Sequence, residues 1–539
     1  MKFDFSDSKV VEALVGRRHP EFTDNLEHWK FCDSCYVGGR QWLSAKCGNV
    51  FRFYKEGAKE YEDRLKRTYR ANHTKRVVET VGQYLFKQRP ARDAGAPDLL
   101  SRFWDNVDRK QQSMTGFMSY VDRMESVFGQ VYIAVDRPAQ VAGSRAEERL
   151  PYVYLIKPTH VLDMGFDDDG VMTWILIAED YRDDTSPTAS GASLVRVRLW
   201  TRDEWYLFAP KDASHPEKLE WLGPEEGYGR HDLGVVPVIP HKSAEGTDYS
   251  APALISDIAY MDRTIVNYGS LLDEILYEQT YSQLTMPAEG LLPGTTEMGQ
   301  MIAAAKNRVF VYSASSPSAK PEFISPDASQ ANLIRDAISD LMRTIYAVTG
   351  TDNDANSQSM STGKSYASGT VRQFDHAAIE NMLLGKAQAL EKTEDRIMDL
   401  VFRWMGDDKV EIDSKWVRYP TSFDIRGLQA DLAIGLDLAE MSAPVVVARE
   451  HMKSMTEKLF PRKSPDEIAL IHAAIDEWEP QYRKDAELAE RQVEVAEDGN
   501  QVSREQIEAQ ERAAERAAEA QKEAAKAAAK APKPAGKAA

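Results

Sequence analysis

The chain has 539 residues, 42% hydrophobic and 28% charged, the balance expected of a water-soluble protein with room for more than one domain. Its formal charge of −18 argues against general nucleic-acid binding over the whole surface, while allowing a basic stripe on an acidic body. No run of about 18 apolar residues occurs and MKFDFSDSK lacks a signal-peptide core, so neither a membrane span nor a secretion signal is expected.

From the N-terminus, residues 1–125 read as mostly helical. Three clustered cysteines, Cys32, Cys35 and Cys47, are an odd number, so a secreted disulfide framework is not expected and a reducing cytoplasm fits better. The segment from Glu56 to Gln88 sets Tyr61, Leu65 and Tyr69 on one helical face. Arg64, Lys66, Arg67, Arg70, Lys75 and Arg76 lie largely elsewhere. Such a basic cluster suits DNA contact, or else a solvated face or a subunit contact with acidic neighbours. From Val127 to about His241 the pattern turns to strands: Val127–Val135, Tyr152–Ile156 and Val171–Ile177, the last after the turn Asp167-Asp168-Asp169-Gly170. A hairpin of Leu194–Trp200 and Trp205–Phe208 follows, then Val235–Ile239. Together these predict an antiparallel β layer on the N-terminal helices, an α+β domain.

Beyond Tyr249 helices dominate. In Ala251–Gln283 the positions Leu254, Ile258, Met261, Ile265, Tyr268, Leu272 and Ile275 recur alternately 4 and 3 apart, a seam able to pack on another long helix. Asp257, Asp262, Asp273, Glu274 and Glu278 occupy its other faces. At the α-helical rise this stretch predicts a helix about 45–50 Å long. Pro287, Gly290, Pro293 and Gly294 break the pattern, and a short mixed segment with a strand at Arg308–Tyr312 runs to Pro326. Helical spacing returns in Ser329–Val348 through Ile334, Ile338, Leu341, Ile345 and Val348, and Gly350 stops it. The polar stretch TDNDANSQSMSTGKSYASG has too few large apolar residues for a core. A third long helix, Thr370–Met405, carries an early stripe (Val371, Phe374, Ala378, Met382) and a later one (Leu390, Ile397, Val401, Trp404). Further helices read at Asp424–Glu440, Ala443–Leu459 and Ser464–Val493. From Ser503 an Ala/Glu/Lys/Arg/Gln tail predicts a lone polar or fraying helix, disordered beyond Pro532.

Sequence motifs for chemistry fail on inspection. Gly363-Lys364-Ser365 would need a glycine five positions earlier, where Gln358 stands, and a helix rather than a strand precedes it. Asp352-x-Asp354-x-Asn356 imitates a calcium loop, but Ser357 replaces its glycine and Gly363 its bidentate glutamate. His28, Cys32, Cys35 and Cys47 have the residue types of a zinc site without its second close pair, so no metal is assigned. No G-x-S-x-G or H-E-x-x-H occurs, and no carboxylate spacing singles out an acid/base pair; neither catalysis nor a cofactor is expected.

Three phrases then carry a family likeness: YEDRLKRTYRANHTKRVVETVGQYLFKQRP (Tyr61–Pro90), FGQVYIAVDRP (Phe128–Pro138) and VPVIPH (Val236–His241). With the order of elements from Ala251 to Gly406, they resemble the portal proteins of tailed bacteriophages over about residues 20–480. The resemblance implies a portal-like α+β fold with an α+β wing (1–250), a first stem helix (251–285), a small mixed clip (286–328) and a second stem helix (329–349). A tunnel loop (350–369), a long wing helix (370–406), a helical crown (407–495) and the C-terminal tail (496–539) complete it. It also implies a closed ring, typically of twelve subunits, at one capsid vertex of the virion and in the host cytoplasm during assembly. Double-stranded DNA would pass along its axis without sequence specificity, and the partners would be a terminase motor, head–tail adaptors, and capsid and scaffolding proteins, with no membrane.

By position in that family, Lys364, Ser365 and Tyr366 of the loop, with Arg335 and Arg343 of the second stem helix, are the DNA-channel candidates. Arg335, Ser339 and Arg343 share one stripe, for which pairing with a neighbouring subunit's acidic stem face is the other use. Met286, Pro287, Leu291, Leu292, Pro293, Phe310 and Tyr312 are the candidates for docking partners at the clip. A conduit must not grip DNA, and each neutralised phosphate adds affinity through counterion release, so an acidic chain suits the task. A scaffold or baseplate component without a channel is the alternative, and a nuclease or packaging ATPase the enzymatic one.

Overall fold

The computed structural model describes residues 5–138 and 150–279, apart from positions 6, 55, 94–95, 185, 189–190 and 212–214. Beyond these it describes 283–287, 309–312, 322–324, 328–350, 369–407, 410, 412, 416–421, 423, 428–441, 443–460, 465–478, 504–524 and 526. Contacts divide the chain into Met1–Asp424 and Ile425–Ala539. The fold is α+β.

Seven helices open the first unit: α1 (Ser8–Val15), α2 (Pro20–Val37), α3 (Gly39–Trp42), α4 (Ala58–Arg67), α5 (His73–Leu85), α6 (Asp98–Asp105) and α7 (Met114–Phe128). The single helical face expected across Glu56–Gln88 is in fact two helices. The chain leaves the helix at Thr68 and restarts where the Asn72 side chain accepts from the Lys75 amide at 2.8 Å, a capping bond. Tyr69 falls in this break and is exposed, so it shares no face with Tyr61 and Leu65.

The β region forms two antiparallel sheets rather than one layer. β2 (Val131–Asp136), β3 (Tyr152–Ile156) and β10 (Val238–His241) pair in the order β10-β2-β3. The larger sheet runs β4 (Val161–Phe166), β5 (Met172–Arg182), β6 (Ser193–Thr201), β7 (Glu204–Pro210) and β8 (Leu219–Trp221). The short helix α8 (Gly223–Glu226) precedes β9 (Tyr228–Arg230), which also pairs with β7. The expected hairpin is present, with Trp200 opposite Trp205. So is the acidic turn: Gly170 adopts φ +75°, and Asp167 Oδ1 accepts the amides of Asp169 and Val171. Val127 and Phe128 end α7 instead of starting a strand, because Gly129 (φ +81°) turns the chain before β2. Strand β4 has no clean period-2 pattern in the sequence, and the structure shows why: its pairing with β5 shifts register between Val161 and Asp163 and again between Gly165 and Phe166.

Next come α9 (Ile258–Gln279), β11 (Gln283–Pro287), β12 (Val309–Tyr312), β13 (Glu322–Ile324), α10 (Ala328–Val348) and α11 (Gly369–Met405). Helix α9 has 22 residues and is about 33 Å long, shorter than expected, because residues 251–257 around Pro252 are not helical and Gln283 already belongs to β11. Strand β11 lies between its neighbours, parallel to β12 and antiparallel to β13, and Pro287 belongs to it instead of ending the preceding helix. Gly350 (φ +61°) and Gly406 (φ +80°) follow the ends of α10 and α11. A two-stranded ribbon, β1 (Ala91–Arg92) with β14 (Val417–Arg418), completes the unit.

In the second unit α12 (Leu428–Glu440), α13 (Val445–Leu459) and α14 (Pro465–Glu477) pack in sequence order, with α13 in contact with both others. Lys453 of α13 reaches Asp476 at 2.7 Å. The last helix read from sequence, Ser464–Val493, is described here only to residue 478. Residues 504–524 are helical and exposed throughout.

Candidate functional site: the paired helices and their charged joints

Helices α9 and α10 pack antiparallel. Ile258, at the start of α9, meets Ile345 and Tyr346 near the end of α10 and Val77 of α5, with Leu254, Met261 and Ile265 around them. The expected seam holds for its first half only. Tyr268 of α9 and Val348 of α10 are exposed, and Thr349 takes the buried place expected of Val348. A second face of α9, lined by Ala259, Asp262, Val266 and Ser270, is buried against the N-terminal helices.

That second face accounts for half of the basic cluster. Arg64 is 1% exposed; it donates to Ser270 Oγ at 2.8 Å and to both oxygens of Glu56, and its guanidinium lies 3.9 Å from the Phe53 ring centroid. The Arg64 hydrogen bonds hold the Glu56 carboxyl below its usual pKa. Arg67 pairs with Glu274, and Arg70 donates to Asp262 Oδ2 at 2.6 Å. The same Asp262 oxygen accepts Thr74 Oγ1 at 2.7 Å and the Thr74 amide at 3.2 Å. Next to this joint, His73 Nδ1 is 2.9 Å from Tyr346 Oη, linking α5 to α10. Arg64 and Arg70 are buried and bound to acids of their own chain, which removes them as DNA contacts; Arg67, about a third exposed, is bound to Glu274. The acids that meet them, expected on a neighbouring subunit, lie within the chain, on α4's own lead-in and on α9. Lys66 is exposed beside Asp63, while Lys75 and Arg76 lie near the rings of Tyr36 and Tyr346.

Arg335 and Arg343 are both exposed on α10. Arg335 Nε is 3.8 Å from Asp336, and Arg343 Nη1 is 3.0 Å from Asp340, so each basic residue has an acid beside it on its own helix. Met286 and Pro287 are placed in β11, and Phe310 and Tyr312 in β12, with Met286 opposite Val311 and Pro287 opposite Tyr312. Leu291, Leu292, Pro293, Lys364, Ser365 and Tyr366 lie outside the described residues.

Two further charge clusters tie α11 to α7 and β1. Lys386 Nζ lies 3.0 Å from Asp122 Oδ1 and 3.0 Å from Ser126 Oγ, and it also pairs with Glu125, all on α7. Glu125 Oε1 accepts Ser243 Oγ at 2.5 Å. Burial opposes the Lys386 charge, but Asp122 and Glu125 outweigh it and keep the ammonium above its usual pKa; burial raises Asp122 itself. His241 Nδ1 is 2.8 Å from Thr393 Oγ1, and complete burial lowers its pKa to about 4. Two turns beyond Lys386, Glu394 receives Arg92 Nε at 2.8 Å and Tyr419 Oη at 2.9 Å. The available signal was charge inside a helical apolar stripe: Lys386 and Glu394 interrupt the buried face of α11.

The cysteines do not converge. Burial pushes the Cys32 thiol up to about 12 and that of Cys35 to about 11, while Cys47 is exposed and its Sγ donates to the Gln41 carbonyl at 3.3 Å. His28 contacts Tyr260 Oη, Ser256 Oγ and Cys32 Sγ. Among the described residues no set of three metal-ligating side chains is placed to hold an ion. A cleft of about 300 Å³ beside His28, Trp29, Phe128 and Ser250 has hydroxyls already engaged, Thr247 and Ser250 both donating to Glu21. No helix among the described residues is long and apolar enough to cross a membrane.

No protein-family model matches the sequence, and no curated protein matches it. Among solved structures, a chain in the virion of a native gene transfer agent particle is similar at a TM-score of 0.36 and 12% identity, over 74% of this chain and 93% of that one. A chain in the neck of an empty gene transfer agent particle is similar at a TM-score of 0.37 and 11% identity, over the same shares.

Proposed function

We propose that this chain is a portal subunit: a component of a closed ring at one capsid vertex through which double-stranded DNA is packaged and ejected. The observation that carries the reading is the antiparallel α9–α10 pair, joined in the chain through a three-stranded sheet and followed by the 37-residue α11. A ring needs head-to-tail interfaces that close on themselves, and paired helices in each subunit suit a continuous wall around an axis. On α10 each exposed arginine stands beside an aspartate, which weakens its pull on phosphate and suits a surface past which DNA slides. Lys364, Ser365 and Tyr366 would be the loop residues nearest DNA. The sheet of β11–β13, with Met286, Pro287, Phe310 and Tyr312, would dock the terminase motor and afterwards the head–tail adaptors, while the ring nucleates capsid and scaffolding proteins in the host cytoplasm. The motor would supply the energy, and this chain no catalysis.

Deletion of Gln358–Ser368 tests the conduit role in a packaging assay. The variant should still form rings but lose packaging or DNA retention. Wild-type packaging by the deletion would overturn the proposal in favour of a scaffold or baseplate role.

A further inference from the structure

Ten of the buried residues of α11 fall into columns that repeat every seven residues. Leu383, Leu390 and Ile397 form one column, Ala387, Glu394 and Val401 a second, and Ile379, Lys386, Thr393 and Leu400 a third; all ten are buried. This face packs on α5, α7, β2, β10 and β14. A seven-residue slip moves a helix about 10 Å along its axis with little rotation, and here it lays leucine on leucine and leucine on isoleucine in the first column. Apolar adhesion in that column alone therefore discriminates poorly between the observed register and its neighbours one heptad away. Within these columns the residues that differ in kind between registers are the polar ones, Lys386, Thr393 and Glu394; outside them the buried Met398 and Phe402 add selection, since Glu391 and Asp395 would take their places in one slip.

The two charged stations have opposite polarity. At the first, α11 supplies the cation and α7 the carboxylates of Asp122 and Glu125. At the second, α11 supplies the carboxylate of Glu394 and the β1 strand the cation of Arg92. A slip in one direction would bring Thr393 to Asp122 and Glu125 and Val401 to Arg92. In the other direction Ile379 would meet the carboxylates, Ala387 would meet Arg92, and Lys386 would meet His241. Either way two buried carboxylates and a nearly buried guanidinium lose their oppositely charged partners, the circumstance in which buried charge is most costly. Trp404, half-buried at the end of the first column, adds a smaller selection through its Nε1 bond to the Val135 carbonyl at 2.9 Å.

We infer that the Lys386–Asp122–Glu125 and Arg92–Glu394 clusters are register keys, which fix where α11 lies along α5 and α7 while its apolar columns supply the adhesion. A single buried polar residue is known to set register in packed helices, and here two keys of reversed sign do so. The inference is independent of the channel reading, since it concerns one helix within one chain.

The test uses the full-length chain with spin labels at Ser101→Cys on α6 and Arg396→Cys on α11, both exposed positions, in a Cys47→Ser background and diluted with unlabelled chain. With both keys intact, pulsed electron spin resonance should give one intramolecular distance. A variant with both keys neutral (Lys386→Met, Asp122→Asn, Glu125→Gln, Arg92→Gln, Glu394→Gln) should retain its helical circular dichroism yet show an added population displaced by up to about 10 Å. One unchanged distance in that variant would overturn the inference. So would its failure to fold, since the clusters would then supply adhesion and not register. Lys386→Met alone, which strands both carboxylates, should unfold at lower urea than the neutral variant; equal midpoints would also count against it.

Discussion

Replacing Arg70 by methionine tests the joint between the N-terminal helices and α9 most sharply. The Arg70 side chain is 4% exposed and Asp262 is fully buried, so the substitution leaves a carboxylate in the interior without its cation. Breaking a buried pair from one side costs about 3–5 kcal/mol. Two bonds from Thr74 still reach the same Asp262 oxygen, which places the expected loss near the lower end, about 3 kcal/mol. The lost stacking of the guanidinium over Trp42, 4.1 Å from its ring centroid, adds about 0.5–1 kcal/mol. Urea unfolding followed by tryptophan fluorescence measures the sum. Arg70→Met/Asp262→Leu, which removes both charges, should recover most of the loss. Arg67→Met, at a pair about one third exposed, should cost less than about 1 kcal/mol. A loss below about 1 kcal/mol for Arg70→Met, or a double variant no better than the single, would refute the idea that this ion pair bears on the joint.

Gly129→Ala should abolish soluble expression or cost at least about 3 kcal/mol, because its Cβ would lie 1.9 Å from the Ala251 carbonyl oxygen at φ +81°. Gly170→Ala, at φ +75° in open space, should cost only about 1 kcal/mol by the same unfolding assay. His241 stays neutral in the fold down to about pH 4 but takes its proton near 6.5 when unfolded, so the unfolded chain binds more protons between those values. Stability present above pH 6.5 should fall by up to about 3 kcal/mol as the pH drops towards 4, and His241→Gln should flatten that slope in urea titrations at stepped pH. Arg335→Ala and Arg343→Ala should each change stability by less than about 0.5 kcal/mol, since both pairs are exposed and local; a larger loss in thermal melts would contradict their placement.

What could be read in the sequence follows the range of the interaction that fixes it. The hairpin of Trp200 and Trp205, the turn at Gly170 and the ends of α10 and α11 rest on neighbours in the chain, and each appears where its residues indicate. Helix α9 was legible as a helix but not in its extent or burial, because one of its buried faces is polar: Asp262 and Ser270 are internal only because Arg70 and Arg64 come to meet them. Lys386 and Asp122 are 264 positions apart, and no local pattern announces such a pair. For the same reason the basic run at Arg64–Arg70 looked like a surface when it is largely a fastening. Arg335 and Arg343 are legible as one stripe of a helix, whereas their pairing with Asp336 and Asp340 depends on side-chain conformations that the spacing does not fix.

The central claim is that copies of this chain close into a ring around a channel. Negative-stain microscopy of the purified protein tests it most directly: the account predicts closed rings with a stain-filled central hole, and a field of monomers, or of filaments without a hole, would contradict it.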